Sequence, residues 1–282
     1  MKLAIVGPHC PMAEQFIDYL RQEKVSWELS FYHLSDRSPL IEFLGKEYPV
    51  LPLDEDEIGL DYDAYLFFPQ EDYRELMLTT EAKGAKVLDC TGTFVNEPTV
   101  PLVMPPINEK LVHKHNLLCL PSFGTALIIP ILWGLDQRFR LKRVSILSNE
   151  KKPSNLLFHD DEYSDDEINS INEVSKILDN DCIRYTVSHF EEKESKWKDY
   201  FFNLEFSRPF NVEDLLSQLL NAANVYSKRD ATKGKEEHEL ILRRYRRDLS
   251  LDSGIHMWIS TQDPKLPLLR GIYEILSELE TG

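Results

Sequence analysis

The chain has 282 residues, 42% hydrophobic and 28% charged, a composition that supports a folded core and excludes a disordered chain. Its formal net charge of −16 argues against nucleic-acid binding, which rests on neutralising phosphates, and against an anionic membrane surface. The longest apolar run, 126–135, is too short to span a bilayer, and the opening MKLAIVGPHCPMAEQF breaks too early for a signal peptide, so a cytoplasmic protein is expected.

LAIVG (Leu3–Gly7) reads as a short buried strand that ends in glycine. Pro11 suits a first helical turn, and MAEQFIDYLRQE keeps its apolar residues at helical spacing. WELSFYHL alternates like a strand, and AYLFF (Ala64–Phe68) is a second apolar one. Glu71 to Lys83 reads as a helix stopped by Gly84, with AKVLDC as the next strand. This repetition predicts a parallel sheet with right-handed crossovers, hence a Rossmann-type α/β domain over 1–120. LPSFGTA then joins the apolar LLCL to a helix, and RVSILS follows as a strand. After the acidic HDDEYSDDE comes the amphipathic helix EINSINEVSKIL, capped by Ser164 or Asp165. CIRYTVSHF, YFFNLEF, ELILRRYRRDLS and IHMWIST alternate as strands, and NVEDLLSQLLNAA is a helix capped by Asn211. Residues 121–263 are therefore expected to form an α+β domain. The tail 264–280 is expected to be a helix that packs back on the first domain. YSKRDATKGKEEH, from Tyr226 to His238, is the most loop-like stretch.

Several residues invite a chemical reading. In LPSFGTA the layout of strand, tight turn and helix is the one that carries a nucleophile to a helix N-terminus, where backbone N–H groups lower a thiol pKa and hold an oxyanion. Its central residue, Phe123, has no reactive group. A dinucleotide turn needs glycines that admit a pyrophosphate. Here Gly7 is followed by Pro8-His9-Cys10-Pro11-Met12-Ala13, which lacks the later glycines and two N–H donors. That favours a structural turn. Arg243, Arg244, Arg246 and Arg247 crowd one strand, as a solvated edge or as partners of the acidic segments rather than an anion site. Arg184 and His189 share another strand, where a lone histidine is read as structural. Cys10, Cys90, Cys119 and Cys182 are scattered and are expected to be reduced. The pair His113-x-His115 lacks the further ligands a metal needs, so no metal is expected.

From end to end the chain resembles the aspartate-β-semialdehyde dehydrogenase family, in particular its Usg-type relatives. SDRSPLIEFLGKEYPV is similar to the family segment, with its Ser-x-Arg-Ser and following Gly-Lys, that meets the adenosine 2′-phosphate of NADP. VLDCTGTF…VPLVMPPIN resembles its substrate loop, SDDEINSINEVSKIL the helix bearing a Glu-x-x-Lys pair, and RRDLSLDSGIHMWIS the strands of its dimerisation domain. The resemblance implies an α/β fold: a Rossmann-type domain plus an α+β dimerisation domain. Such enzymes convert an acyl phosphate to an aldehyde through a cysteine thioester, with a histidine as acid/base and NADPH as hydride donor.

Laid on the family's Asn-Pro-Asn-Cys-Ser-Thr turn, LPSFGT puts Phe123 where the nucleophile would be, with Cys119 four residues early. The family's Arg-x6-His begins at Arg184 and ends at Glu191 in place of the acid/base, and His189 reaches that place only with a shifted register. The phosphate-gripping arginine becomes Val95. In the Glu-x-x-Lys pair the lysine becomes Asn169, leaving Asp166. What the resemblance retains is Arg184 for a substrate carboxylate, Asp166, and Gly7, Ser35, Arg37 and Ser38 on the cofactor side. It implies a catalytically inactive, homodimeric binding protein, paired through strands that include Ile255 and Trp258. No cofactor is expected, with room for residual NADP binding, and a further protein partner stays open. The alternatives are an NAD(P)-dependent oxidoreductase of altered mechanism on an aldehyde or acyl substrate, and a sensor that uses Arg184 to hold a carboxylate.

Overall fold

The computed structural model describes residues 1–34, 40–53, 58, 61–150, 162–192, 195–223, 225–227 and 240–281. The chain divides into one unit of Met1–Pro121 with Leu268–Gly282, and a second of Ser122–Pro267.

The first unit is built on a six-stranded parallel sheet. Its strands are β1 (Lys2–Val6), β2 (Glu28–His33), β5 (Val50–Pro52), β6 (Ala64–Phe67), β7 (Val87–Asp89) and β8 (Leu117–Cys119), in the order β5-β2-β1-β6-β7-β8. Strands β1, β6, β7 and β8 are buried along nearly their whole length and, Lys2 and Asp89 apart, apolar, as a parallel sheet covered by helices requires. Helix α1 (Pro11–Glu23) links β1 to β2. It is capped by the Cys10 thiol, which accepts the Ala13 N–H, with Pro11 at the first position where no donor is lost. Helix α2 (Arg74–Ala82) starts three residues later than the pattern from Glu71 suggests, because the Asp72 carboxylate takes the Arg74 N–H and holds the preceding residues in a turn. The segment with Gly45 and Lys46 forms a hairpin, β3 (Ile41–Phe43) with β4 (Lys46–Tyr48), turning at Leu44 and Gly45, both at positive φ. Periodicity did not mark this hairpin, whose strands are three residues each.

The C-terminal helix, α6 (Leu266–Thr281), buries Leu268, Leu269, Ile272, Ile275 and Leu276. Tyr273 stacks on Trp27 and meets Tyr19 edge-on, and Gly271 lets Met104 approach.

In the second unit, β9 (Leu141–Glu150), β10 (Arg184–Glu191), β11 (Lys198–Phe206), β12 (Val225–Ser227), β13 (Leu240–Arg247) and β14 (Gly254–Thr261) form a mixed sheet ordered β10-β9-β11-β14-β13-β12. Helices α3 (Phe123–Phe139), α4 (Asp165–Leu178) and α5 (Val212–Ala223) cover one face. Val144, Ile146, Tyr200, Phe202, Leu204, Ile255, Met257 and Ile259 are buried beneath them. Leu147, Phe201 and Trp258, one register row of the other face, remain 43%, 37% and 37% exposed. Ile255 is 0% exposed on the helix-covered side, whereas Trp258 and Phe201 stand on the open face. Helix α3 is apolar nearly all round and is a buried core helix. Ser164, not Asp165, caps α4, in a capping box with Glu167, and the Asn211 side chain accepts the Glu213 N–H at the start of α5.

No helix among the described residues is long and apolar enough to cross a membrane.

Candidate functional site

Two places in the fold correspond to the chemistry read from the sequence, and each lies within one unit. The first is the N-terminus of α3. Ser122 is its cap, accepting the Thr125 N–H, and Phe123 is its first residue. The phenyl ring is half-buried, with Lys265 Nζ 5.8 Å from its centroid. A helix N-terminus attracts an anion through its free N–H groups and its dipole. Here the anion is internal. Glu173 of α4 accepts the Ser122 N–H at 2.9 Å and the Ser122 hydroxyl at 2.7 Å. Burial pushes the Glu173 carboxyl above its ordinary value. The Thr125 and Ser122 hydrogen bonds act in the opposite sense, and the Asp166 charge adds to the rise.

Around this pair lies a chain of buried hydroxyls. Thr125 Oγ1 donates to Ser170 Oγ at 3.5 Å, and Ser170 Oγ lies 3.3 Å from Tyr185 Oη. Desolvation drives the Tyr185 phenol upward. A Cβ placed on Gly124 would stand 3.8 Å from Tyr200 Oη, and across the sheet Tyr200 pairs with Ser148 and Ser148 with His189. His189 Nδ1 is 2.8 Å from Ser148 Oγ, and Glu167 Oε1 accepts the His189 backbone N–H at 2.7 Å.

The sequence-derived residues fall unevenly about this place. Glu191 is exposed at the far end of β10, opposite Glu150, and His189, two residues before it, is paired with Ser148. Arg184 is exposed at the other end of β10, paired with Arg143, five residues from His189, which is about 16 Å along a strand. Alternation turns Arg184 and Thr186 away from the face where Tyr185 and Val187 lie beneath the helices. The structure thus places Arg184 on the face of β10 opposite Tyr185, whose hydroxyl meets Ser170. Asp166 is exposed and Asn169 half-buried on α4, while the group that reaches α3 is Glu173. Sequence reading missed Glu173, yet a signal was present: Glu167, Ser170 and Glu173 fall on the same helical stripe as the core residues Val174 and Ile177.

The second place is the turn after β1. Gly7 has φ +77, and a Cβ there would meet Phe68 O at 2.9 Å, Tyr73 Oη at 3.1 Å and Gln70 Cβ at 3.2 Å. Gln70 Oε1 accepts the His9 N–H at 3.3 Å, and its amide nitrogen lies 2.7 Å from His33 Nε2. A dinucleotide pyrophosphate needs bare backbone and free N–H groups at such a turn. These residues do not fit it: Pro8 and Pro11 carry no N–H, the His9 and Ala13 N–H groups are engaged, and side chains crowd Gly7. Ser35, Arg37 and Ser38 lie outside the described residues.

In the loop after β7, Asp89 accepts the N–H groups of Thr91, Gly92 and Phe94, the Thr91 hydroxyl and the Cys119 thiol. This fully buried carboxylate fixes the loop that buries Val95. Arg74, over the Phe94 ring, is paired with Glu97 at 2.6 Å. Cys119 is fully buried, with its sulfur 3.3 Å from Asp89 Oδ2. The arginines of β13 do not act as one group. Arg243 stacks on Trp197, and Arg247 lies over Phe210 and donates to its carbonyl. Arg244 and Arg246 line an open groove with Phe201, His256 and Trp258. Among the described residues no cluster of three or more His, Cys, Asp and Glu is placed to hold a metal.

No family model matches the chain. It is 24% identical to the aspartate-semialdehyde dehydrogenase of Campylobacter jejuni over 91% of each chain, and 21% identical to that of Aquifex aeolicus over 92% of each. It is also 24% identical to the Prochlorococcus marinus aspartate-semialdehyde dehydrogenase over 62% of this chain, which spans 65% of that relative. Its fold is similar to aspartate semialdehyde dehydrogenase II of Vibrio cholerae, solved with ASA (TM-score 0.84, 18% identity, 99% of this chain and 98% of that one). A probable aspartate-semialdehyde dehydrogenase of Pseudomonas aeruginosa gives a TM-score of 0.82 at 14% identity, with the same coverage. The chain is thus similar in sequence to aspartate-semialdehyde dehydrogenases along nearly its whole length, and it shares their fold of a parallel Rossmann-like sheet followed by a mixed one.

Proposed function

We propose that this chain is a family member without the family's reductive chemistry, acting in the cytoplasm as a homodimeric binding protein. The observation that carries the reading is Phe123 as the first residue of α3, where the family resemblance calls for a cysteine. A thioester needs a thiol, and a phenyl ring offers neither nucleophile nor leaving group. The Glu173 carboxylate at the same helix end supports the reading, since it repels a second anion such as an acyl phosphate. So does the crowded Gly7 turn, which argues that NADP is not the working ligand. The exposed row Leu147–Phe201–Trp258 supplies an apolar face for a second copy, and obligate interfaces of this kind are apolar at their centre. The test is phosphate-dependent NADP reduction with aspartate semialdehyde, expected at the level of a no-enzyme control. Turnover above that control overturns the reading.

A further inference from the structure

The side chain of Gln70 runs across the space in front of the β1 turn. Its carbonyl takes the His9 N–H at 3.3 Å, its amide nitrogen reaches His33 Nε2 at 2.7 Å, and its Cβ is 3.2 Å from the place of a Gly7 side chain. His33 ends β2 and is 7% exposed, and its Nδ1 faces Glu71 Oε1 at 3.8 Å. The amide as donor makes Nε2 the acceptor and leaves the ring proton on Nδ1, facing Glu71. Gln70 thus bridges the carboxyl ends of adjacent strands β1 and β2. In an open parallel sheet, that is the ground over which a dinucleotide lies from pyrophosphate to ribose. Tyr73 Oη, 3.1 Å from the same Gly7 position and buried, has no hydrogen-bond partner.

We propose that Gln70 is an intramolecular stopper: it satisfies the β1 turn and the end of β2 with its own amide and so keeps a dinucleotide out of a cleft that still has donors to offer. The inference rests on the reading of this chain as one that does not use NADP, and adds that the cleft is filled rather than dismantled. Removing the amide frees the His9 N–H and leaves the Tyr73 hydroxyl beside the opened space. The missing Pro8 and Pro11 donors then limit the affinity gained but do not abolish it.

The test is calorimetric titration of the full chain with NADP⁺, for the wild type, Gln70→Ala, Gln70→Asn and Gln70→Glu. The wild type is expected to show no saturable binding up to about 1 mM, with Gln70→Ala and Gln70→Asn at least about tenfold tighter. Gln70→Glu keeps the length and the acceptor for His9 and is expected to stay silent. Hydrogen exchange of the His9 amide should quicken in the alanine variant and not in the glutamate one. Low-micromolar binding by the wild type would overturn both the stopper and the reading beneath it. Folded alanine and asparagine variants as silent as a silent wild type would overturn the stopper alone, as would a glutamate variant that binds as well as the alanine one.

Discussion

Glu173 holds Ser122 by two bonds, to its N–H at 2.9 Å and its hydroxyl at 2.7 Å, and so places a carboxylate on the helix end where the fold family's chemistry is expected. A helix N-terminus and an anion attract each other. With the chain supplying the anion itself, the attraction is spent on joining α4 to α3. Ser122 is thereby a cap on both sides, giving its oxygen to the Thr125 N–H and its own donors to Glu173.

This pairing makes stability depend on pH in a definite direction. Burial raises the native Glu173 carboxyl above its ordinary value of 4.5, so the native state binds that proton more tightly than the unfolded chain. Where the native state holds more protons, stability falls as the pH rises. The group's contribution is complete below the unfolded value and declines as the pH climbs through the native one. Glu173→Gln removes the titration. Melting curves of both proteins from about pH 4 to about pH 7 should show the difference in Tm moving against the wild type with rising pH. A constant difference would mean that the carboxyl does not titrate with folding.

The strands and helices were legible because period and punctuation agree. The run LAIVG, the alternation of YFFNLEF and the Ser164 cap each fix one element, and each lies where it was expected. The three-residue strands β3, β4, β5 and β12 were missed because so few residues carry no period. The site was less legible for a different reason. The resemblance tied Arg184 to residue 191, whereas the strand register pairs His189 with Ser148 and Ser148 with Tyr200, and register is a property of pairing that one strand does not contain. The start of α3 at Phe123 was legible because the turn LPSFGTA separates two apolar runs. Glu173 was passed over because a carboxylate in an amphipathic helix reads as surface until its position on the core stripe is counted.

The contact between α3 and α5 gives a second expectation. A Cβ on Gly134 would lie 2.3 Å from the Ala222 Cβ, well inside contact distance. Gly134→Ala gains about 1 kcal/mol of helix propensity, but forcing carbon into a packed contact costs about 1–3 kcal/mol or more. Overpacking should win, with a net loss of about 1–2 kcal/mol and a lower Tm. Ala222→Gly in the same chain should recover part of that loss, because the two sites share one contact. A Gly134→Ala variant as stable as the wild type would show that the helices part freely.

The exposed row of the second sheet yields a third. Phe201 and Trp258 stack at 5.2 Å, and the indole N–H is anchored to Asp199 at 2.8 Å. A rigid aromatic pair of this kind suits the centre of an interface between copies. Light scattering at micromolar concentration should report a dimer for the wild type and a monomer for Phe201→Asp. The melting temperature at low protein concentration should change little, since Phe201 is 37% exposed within one chain. A monomeric wild type contradicts the proposed dimer. A dimeric Phe201→Asp moves the interface off this face.

Introducing a thiol is the sharpest test of the proposed loss of chemistry. Phe123→Cys places a sulfur at the first position of α3, where the helix dipole lowers a thiol pKa. Glu173, bonded to the adjacent Ser122, opposes that shift with its negative charge. The new thiol should therefore react with iodoacetamide faster than Cys119, which is fully buried against Asp89, and faster again when Glu173→Gln is added. Catalysis should not follow. The resemblance asks for cations where Val95 and Asn169 stand, His189 is engaged with Ser148, and the Gly7 turn is crowded. Groups that act as a unit are non-additive, so restoring one of them returns almost none of the rate. Semialdehyde-dependent NADPH formation by Phe123→Cys should match the no-enzyme control, with or without Val95→Arg and Asn169→Lys, for as long as the β1 turn stays closed. Substantial turnover by the single variant would mean that the remaining site is intact and that Phe123 alone silences it.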